Sequence, residues 1–318
     1  MTGVTSQLQA ALAGRYIVQR QLGTGATATV YLAQDLRHHR NVAIKVLHPE
    51  LAASLGADRF LREIEIAASL RHPHILPLFD SGDSNGLLYY VMPYVEGETL
   101  RQRLDRDGAI PVYEAVRFAR EVADALTHAH ARGVVHRDIK PDNIMLEAGH
   151  AVLSDFGIAK ALESAGWLSP LTGAGMSLGT PSYMSPEQAQ GDPSLDGRSD
   201  VYSLACVLYE MLVGQPPFTG PSAEVVVRQQ IAAPPPQITL SRTVVPERVK
   251  ETLRRAMAKT PDDRFANAAE FAASLRASQG SMSVRMPLAH RIVRRHPSAL
   301  IITVVIAITA LLLVMMLR

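Results

Sequence analysis

HRDIKPDN, residues 136–143, sets a His, an Arg, two Asp, a Lys and an Asn within eight positions, between the apolar runs GVV (133–135) and IML (144–146). A surface turn can carry such a string. The order of the groups points instead to chemistry. Asp138 offers a carboxylate that can accept or orient a hydroxyl proton. Lys140, two residues on, can stabilise transferred phosphate charge, and Asn143 brings an amide oxygen suited to a hard cation.

Three further stretches bear on that string. LSDFG (153–157) follows a hairpin-like interval and supplies a second oxygen ligand, Asp155, with Gly157 giving the backbone freedom. NVAIKVL (41–47) reads as a strand that ends near Lys45, where a lone ammonium is costly unless a carboxylate holds it. The helical stretch GADRFLREIEIAASL (56–70), with Phe60, Ile64, Ala67 and Ala68 on one face, offers Glu63 and Glu65 two positions apart. Glu63 flanks the apolar face and is the expected inward partner, with Glu65 the alternative. LGTGATATV (22–30) places Gly23 and Gly25 between two strands, where the backbone can turn tightly and approach a phosphate. Taken singly, a Gly pair or a DFG is weak evidence.

Their order is not weak. Gly loop, strand Lys, H-R-D-x-x-x-x-N and D-F-G succeed one another as in protein kinases, and the chain resembles that family over about residues 16–276. SPE (185–187) stands where the family has A-P-E, Asp200 resembles the residue that braces the catalytic loop, and Arg264 resembles the late arginine that pairs with Glu187. Lys140 is similar to serine/threonine kinases, and DFGIAKAL and PSYMSPEQAQG look like the bacterial membrane-linked branch. The resemblance implies an α+β fold with a small β-rich lobe (about 16–95) and a larger helical lobe (about 96–276), after an extension at 1–15.

The resemblance also implies roles. The γ-phosphoryl group of ATP would pass to Ser or Thr, including in autophosphorylation. Asp138 would orient the acceptor and Lys140 neutralise charge, while Lys45 with Glu63 would position phosphates. Asn143 and Asp155 would hold Mg2+ or Mn2+, and His136 would support the loop. Nucleotide would lie against Leu22, Gly23, Gly25, Val30, Ala43, Met92, Pro93 and Val95, with Met92 at the gatekeeper position. Pro93 stands where many relatives have Glu. It lacks an N–H but keeps its carbonyl, and Val95 keeps both groups. Arg137 would contact a phosphorylated activation segment, with Thr172 the expected regulatory site and Thr180 a structural one. Ala28 in place of a third glycine stiffens the loop, and Ala205 replaces a frequent Gly in a helix. A pseudokinase scaffold at the membrane is the alternative, opposed by the presence of Lys45, Asp138, Asn143 and Asp155 together; a small-molecule kinase is opposed by GTPSYMSPE (179–187).

Composition sets the rest. The 318 residues are 47% hydrophobic and 19% charged, as in a folded body, and a net charge of +2 gives no ground for a nucleic-acid partner. The single Cys206 allows no intrachain disulfide and lies in an apolar helical run that favours burial. Residues 298–317, SALIITVVIAITALLLVMML, contain no charge; at about 1.5 Å per residue such a helix spans a bilayer core of about 30 Å. Arg285, Arg291, Arg294 and Arg295 in the preceding linker (277–297) predict, through the positive-inside rule, that the domain before the span is cytoplasmic, and allow contact with anionic lipid; the resemblance to the bacterial branch implies that the membrane is a bacterial inner membrane. Only Arg318 follows the span, so the expected stimulus is internal, from lipid, or from clustering. The family branch implies protein substrates and a homodimer, although the span has no G-x-x-x-G pattern.

Overall fold

The computed structural model describes residues 3–84, 86–156, 181–238 and 244–279. Thr172, Thr180, most of the expected linker and the expected span lie outside these residues. Among the described residues, no helix is long and apolar enough to cross a membrane.

Side-chain alternation builds the first sheet. In β3 (Arg40–Leu47), Val42, Ile44 and Val46 are buried on one face, and Ala43 and Leu47 on the other. β5 (Leu87–Pro93) repeats this, with Leu88, Tyr90 and Met92 opposite Leu87 and Val91. With β1 (Tyr16–Thr24), β2 (Ala28–Asp35) and β4 (Asp80–Ser84), they form an antiparallel sheet of order β1-β2-β3-β5-β4. A tight connection joins β4 to β5, where the Gly86 N–H donates to Asp83 Oδ1 at 2.8 Å and Gly86 has φ +82°.

Each sheet face is covered differently. On the inner face lie α2 (Pro49–Leu55) and α3 (Ala57–Ala68), which buries Phe60, Ile64 and Ala67 as the spacing predicts; Ala68, expected on the same face, is exposed. On the outer face the extension at 1–15 forms a helix, α1 (Gly3–Ala11), that sequence periodicity did not reveal. Leu8 on this helix and Leu12 just after it are buried, packed with Tyr16, Tyr31, Ile44 and Val91. Gln9 Oε1 accepts the Val18 N–H at 2.8 Å, which fixes the helix to β1.

The second part is helical. After β6 (Glu98–Thr99) come α4 (Leu100–Asp107) and α5 (Val112–His130), then the hairpin β7 (Ile144–Glu147) and β8 (His150–Leu153). The helices α6 (Pro186–Gln190), α7 (Gly197–Val213), α8 (Ala223–Ala232), α9 (Glu247–Ala256) and α10 (Ala268–Gln279) follow. α10 runs into the stretch expected as linker from 277. In α7 every residue from Ser199 to Leu212 is buried, so this helix is the axis of the core. Asp196 caps its start, and Gly214 at φ +85° ends it. Cys206 lies inside it, fully buried, with its thiol pushed up to about 12 by burial. The two parts are stitched together where His74 O accepts the Leu153 N–H at 2.9 Å and Leu153 O accepts the Leu76 N–H at 2.9 Å. Gly97, in the connection, lies so close to β7 that a Cβ there would collide with the Leu146 carbonyl oxygen.

Candidate active site

Between the sheet and the helical part lies a cleft of about 790 Å³. A cavity of that size accommodates a nucleotide-sized ligand. Its lining contains Leu22, Gly23, Gly25, Val30, Ala43, Lys45, Met92, Pro93 and Val95 from the sheet side, and Arg137, Asp138, Lys140, Asn143 and Asp155 from below. The residues singled out from separate stretches of sequence are thereby brought together. A Cβ at Gly23 would meet no protein atom within 4 Å, so packing of the loop does not itself demand glycine there. Pro93 pairs with Val42 at the end of the β3–β5 ladder, where a missing N–H is tolerated.

The strand places Lys45 on the cleft side, opposite Tyr90 in register. Its ammonium is 2.7 Å from Asp155 Oδ2. The carboxylate that meets Lys45 is thus Asp155, where Glu63 was the expected partner. Asp155 has a second donor, absent from the sequence reading: the buried Tyr90 hydroxyl, 2.6 Å from Oδ1. Strand alternation could have found it, since a tyrosine turned into the core needs a partner for its hydroxyl. Burial pushes the Asp155 carboxyl up, but the Lys45 charge and the bonds from Lys45 and Tyr90 outweigh it and hold it below its ordinary value. Asp155 has φ +67°, and Phe156 behind it packs edge-on against the His136 ring at 4.6 Å.

The loop at 136–143 is held from beneath. Asp200, buried in the first turn of α7, accepts the N–H groups of His136 and Arg137 at 2.8 Å each, and His130 Nε2 lies 2.7 Å from it. Burial raises the Asp200 carboxyl, while His130 and the backbone donor lower it further, so the net shift is downward. Arg137 at φ +69° turns the chain. His136 Nε2 lies 2.8 Å from the Ser154 carbonyl, tying the loop to the DFG strand. Above this base, Lys140 Nζ is 2.8 Å from Asp138 Oδ2. Burial depresses the Lys140 ammonium, and the Asp138 charge reverses this to a net rise.

The donor set suits a hard cation. Asn143 Nδ2 donates to Asp138 O at 2.8 Å and to Asp138 Oδ2 at 3.0 Å, which leaves the amide oxygen as the free acceptor. Each Asp155 oxygen keeps a second lone pair beside its one donor. Asn143 and Asp155 thus fit a divalent cation bound through oxygen.

The outer end of the cleft is built by residues 181–190. Ser185, read as a departure from Ala, caps α6: its hydroxyl accepts the Gln188 N–H at 3.3 Å, and Gln188 Oε1 accepts the Ser185 N–H at 3.1 Å. Gln188 Nε2 also donates to Arg137 O at 2.7 Å, joining this segment to the catalytic loop. Tyr183 donates to the buried Glu210, which also accepts from Arg101 at 2.9 Å. Glu187 meets Arg264 in the ion pair that the resemblance implies.

Comparison with known proteins agrees with this geometry. The family of the protein kinase domain matches residues 16–274. Serine/threonine-protein kinase PknB of Mycolicibacterium smegmatis is 44% identical over 271 residues, which cover 83% of this chain and 43% of that protein. Serine/threonine-protein kinase PrkC of Bacillus subtilis is 38% identical over 267 residues, covering 83% of this chain and 40% of the relative. The chain thus spans less than half the length of these curated relatives. The crystal structure of the Mycobacterium tuberculosis PknI kinase domain superposes with a TM-score of 0.62 at 34% identity, over 83% of this chain and 96% of that one. The chain belongs to the protein kinase family, in the company of bacterial serine/threonine kinases.

Proposed function

We propose that this protein transfers the γ-phosphoryl group of ATP to Ser and Thr hydroxyls of proteins. The observation that carries this is the convergence of Lys45, Asp138, Lys140, Asn143 and Asp155 on one cleft. The acceptor oxygen attacks the γ-phosphorus, the bond to the bridging oxygen breaks and ADP leaves. Asp138, nearly half exposed, receives or directs the hydroxyl proton. Lys140 beside it and Lys45 above neutralise charge on the transferring group. Mg2+ or Mn2+, held by Asn143 and Asp155, would add charge neutralisation at the phosphates. The nucleotide base would lie between Leu22, Val30, Ala43 and Met92, with Pro93 O and the Val95 backbone as its polar partners. A pseudokinase would lack one or more of these groups, and all are present and paired.

The same reading places regulation at Thr172, whose phosphate would draw Arg137, and an anchor at 298–317. The anchor rests on the charge-free apolar run and the basic residues before it, which put the kinase domain on the cytoplasmic side of a bacterial inner membrane. Pairing of two copies is part of the reading and is measured by sedimentation. The test of the activity is incubation of the full chain in lipid with labelled ATP and Mg2+ or Mn2+, followed by mass spectrometry. Label on Ser and Thr is expected, Thr172 included. Bound ATP without any labelled residue would favour the scaffold.

A further inference from the structure

Away from the cleft, one buried polar chain has no part in nucleotide binding. Gln230 on α8 is fully buried, an unusual place for an amide unless both of its ends are satisfied. Its Nε2 donates to the Pro181 carbonyl at 3.0 Å, and its Oε1 accepts the Tyr202 hydroxyl at 2.6 Å. That hydroxyl in turn accepts from Lys259 Nζ at 2.9 Å. Lys259 also donates to the Gln230 carbonyl at 2.7 Å, so the circuit closes on the end of α8. Its Nζ lies over the Tyr202 and Phe218 rings, 4.3 Å from the Phe218 centroid. Four separate segments are thus joined through Gln230 and the Tyr202 hydroxyl.

Glutamine suits this position for a chemical reason. A side chain of this length must donate to a carbonyl at one tip atom and accept a hydroxyl at the other. Glutamate would set a charge against the Pro181 oxygen, and methionine would leave the Tyr202 hydroxyl with no acceptor and the Pro181 oxygen with only the Met184 N–H, at 3.2 Å, as donor. Pro181 has no N–H, so its carbonyl is the one backbone group by which it can be held. It opens the turn 181–183, whose Tyr183 lines the outer end of the cleft together with Met184 and Gln188. None of Gln230, Tyr202 and Lys259 lines the cleft itself.

We propose that Gln230 is a positioning residue for the acceptor side of the reaction, holding Pro181 through a relay from Lys259 and Tyr202 so that the platform for the Ser- or Thr-bearing peptide keeps its place. This deepens the phosphotransfer reading and rests on it. The relay selects for acceptor binding and is indifferent to nucleotide.

The experiment uses the full chain, Gln230→Met, Tyr202→Phe and the double variant, with a threonine peptide chosen from an array by the parent. KM for peptide is measured at saturating ATP, and KM for ATP at saturating peptide. Hydrogen exchange is followed at 182–190 and at 136–146. Weakening the hold on Pro181 by about the worth of one ordinary hydrogen bond predicts a peptide KM raised roughly fivefold in each single variant, with ATP KM changed less than about twofold. The double variant should be no worse than about the larger single effect, because both act through one chain. Exchange at 182–190 should quicken by a similar factor while 136–146 stays as in the parent. Tyr202→Phe keeps the ring and reads the relay even if Gln230→Met folds poorly. A peptide KM unchanged in folded variants, or both KM values rising together, would overturn the inference and leave the activity standing. A parent that phosphorylates no acceptor would sink the activity and the acceptor role with it.

Discussion

Arg264 and Glu187 are joined by two parallel hydrogen bonds of 2.7 Å between segments 77 residues apart. The Arg264 side chain has no exposed surface. Its remaining N–H groups reach the carbonyls of Ala258, Arg198 and Lys259, so all five donors of the guanidinium are satisfied. Removing it would leave a buried carboxylate and three carbonyls without their partner. Arg264→Ala should lower the unfolding free energy by about 3–5 kcal/mol. Urea unfolding measures this. A loss near zero would mean that the pair adds no net stability.

Asp155, Asp200 and Glu187 all titrate below their ordinary values, because donors and cations outweigh their burial. Between the folded and unfolded values the unfolded chain binds more protons, so stability is full above about pH 5 and falls as the pH drops through that window. Lys259 has the opposite charge type. Burial pushes it down from 10.5 to about 8, so its contribution to stability rises as the pH climbs between those values. The urea midpoint should therefore climb between about pH 3 and 5 and hold level to about pH 7, and Asp200→Asn should flatten that acid limb.

Tyr90 gives Asp155 its second donor from a fully buried position. Tyr90→Phe keeps the ring and removes that bond, which should cost about 1–3 kcal/mol of stability. An unfolding curve matching the parent would show that the phenol is replaceable.

Leu8 is fully buried on the sheet face opposite the cleft. Leu8→Ala should cost about 2–5 kcal/mol through lost burial and the cavity left behind. ATP affinity should be unchanged, as read by nucleotide titration at a temperature where both proteins are folded. A weaker titration would link α1 to the cleft.

Much of this architecture was legible because its chemistry is local in sequence. The loop at 136–143 carries its own order of groups, and the Glu187–Arg264 pair and the Asp200 brace followed from the family resemblance. The strand at 41–47 was visible from its Val and Ile content, and the face of Phe60 and Ile64 as a period of three to four. α1 was not legible, because Leu8 and Leu12, four apart among small and polar residues, give too little pattern until the sheet face they cover is known. The partner of Lys45 was not legible either. Sequence can say that a carboxylate must lie near, but the choice between Glu63 and Asp155 depends on how α3 and the DFG strand approach β3. Tyr90, Gln188 and Gln230 act through bonds to distant backbone or side chains, and nothing in their own neighbourhoods announces those bonds.

The most direct measurement of the central claim is the turnover of Asp138→Asn beside the parent, with ATP affinity measured on the same samples. Asp138 sits at the acceptor end, so the substitution should lower kcat about a hundredfold or more while the ATP dissociation constant stays within about twofold. Unchanged turnover in Asp138→Asn would contradict the assignment of this cleft to phosphoryl transfer.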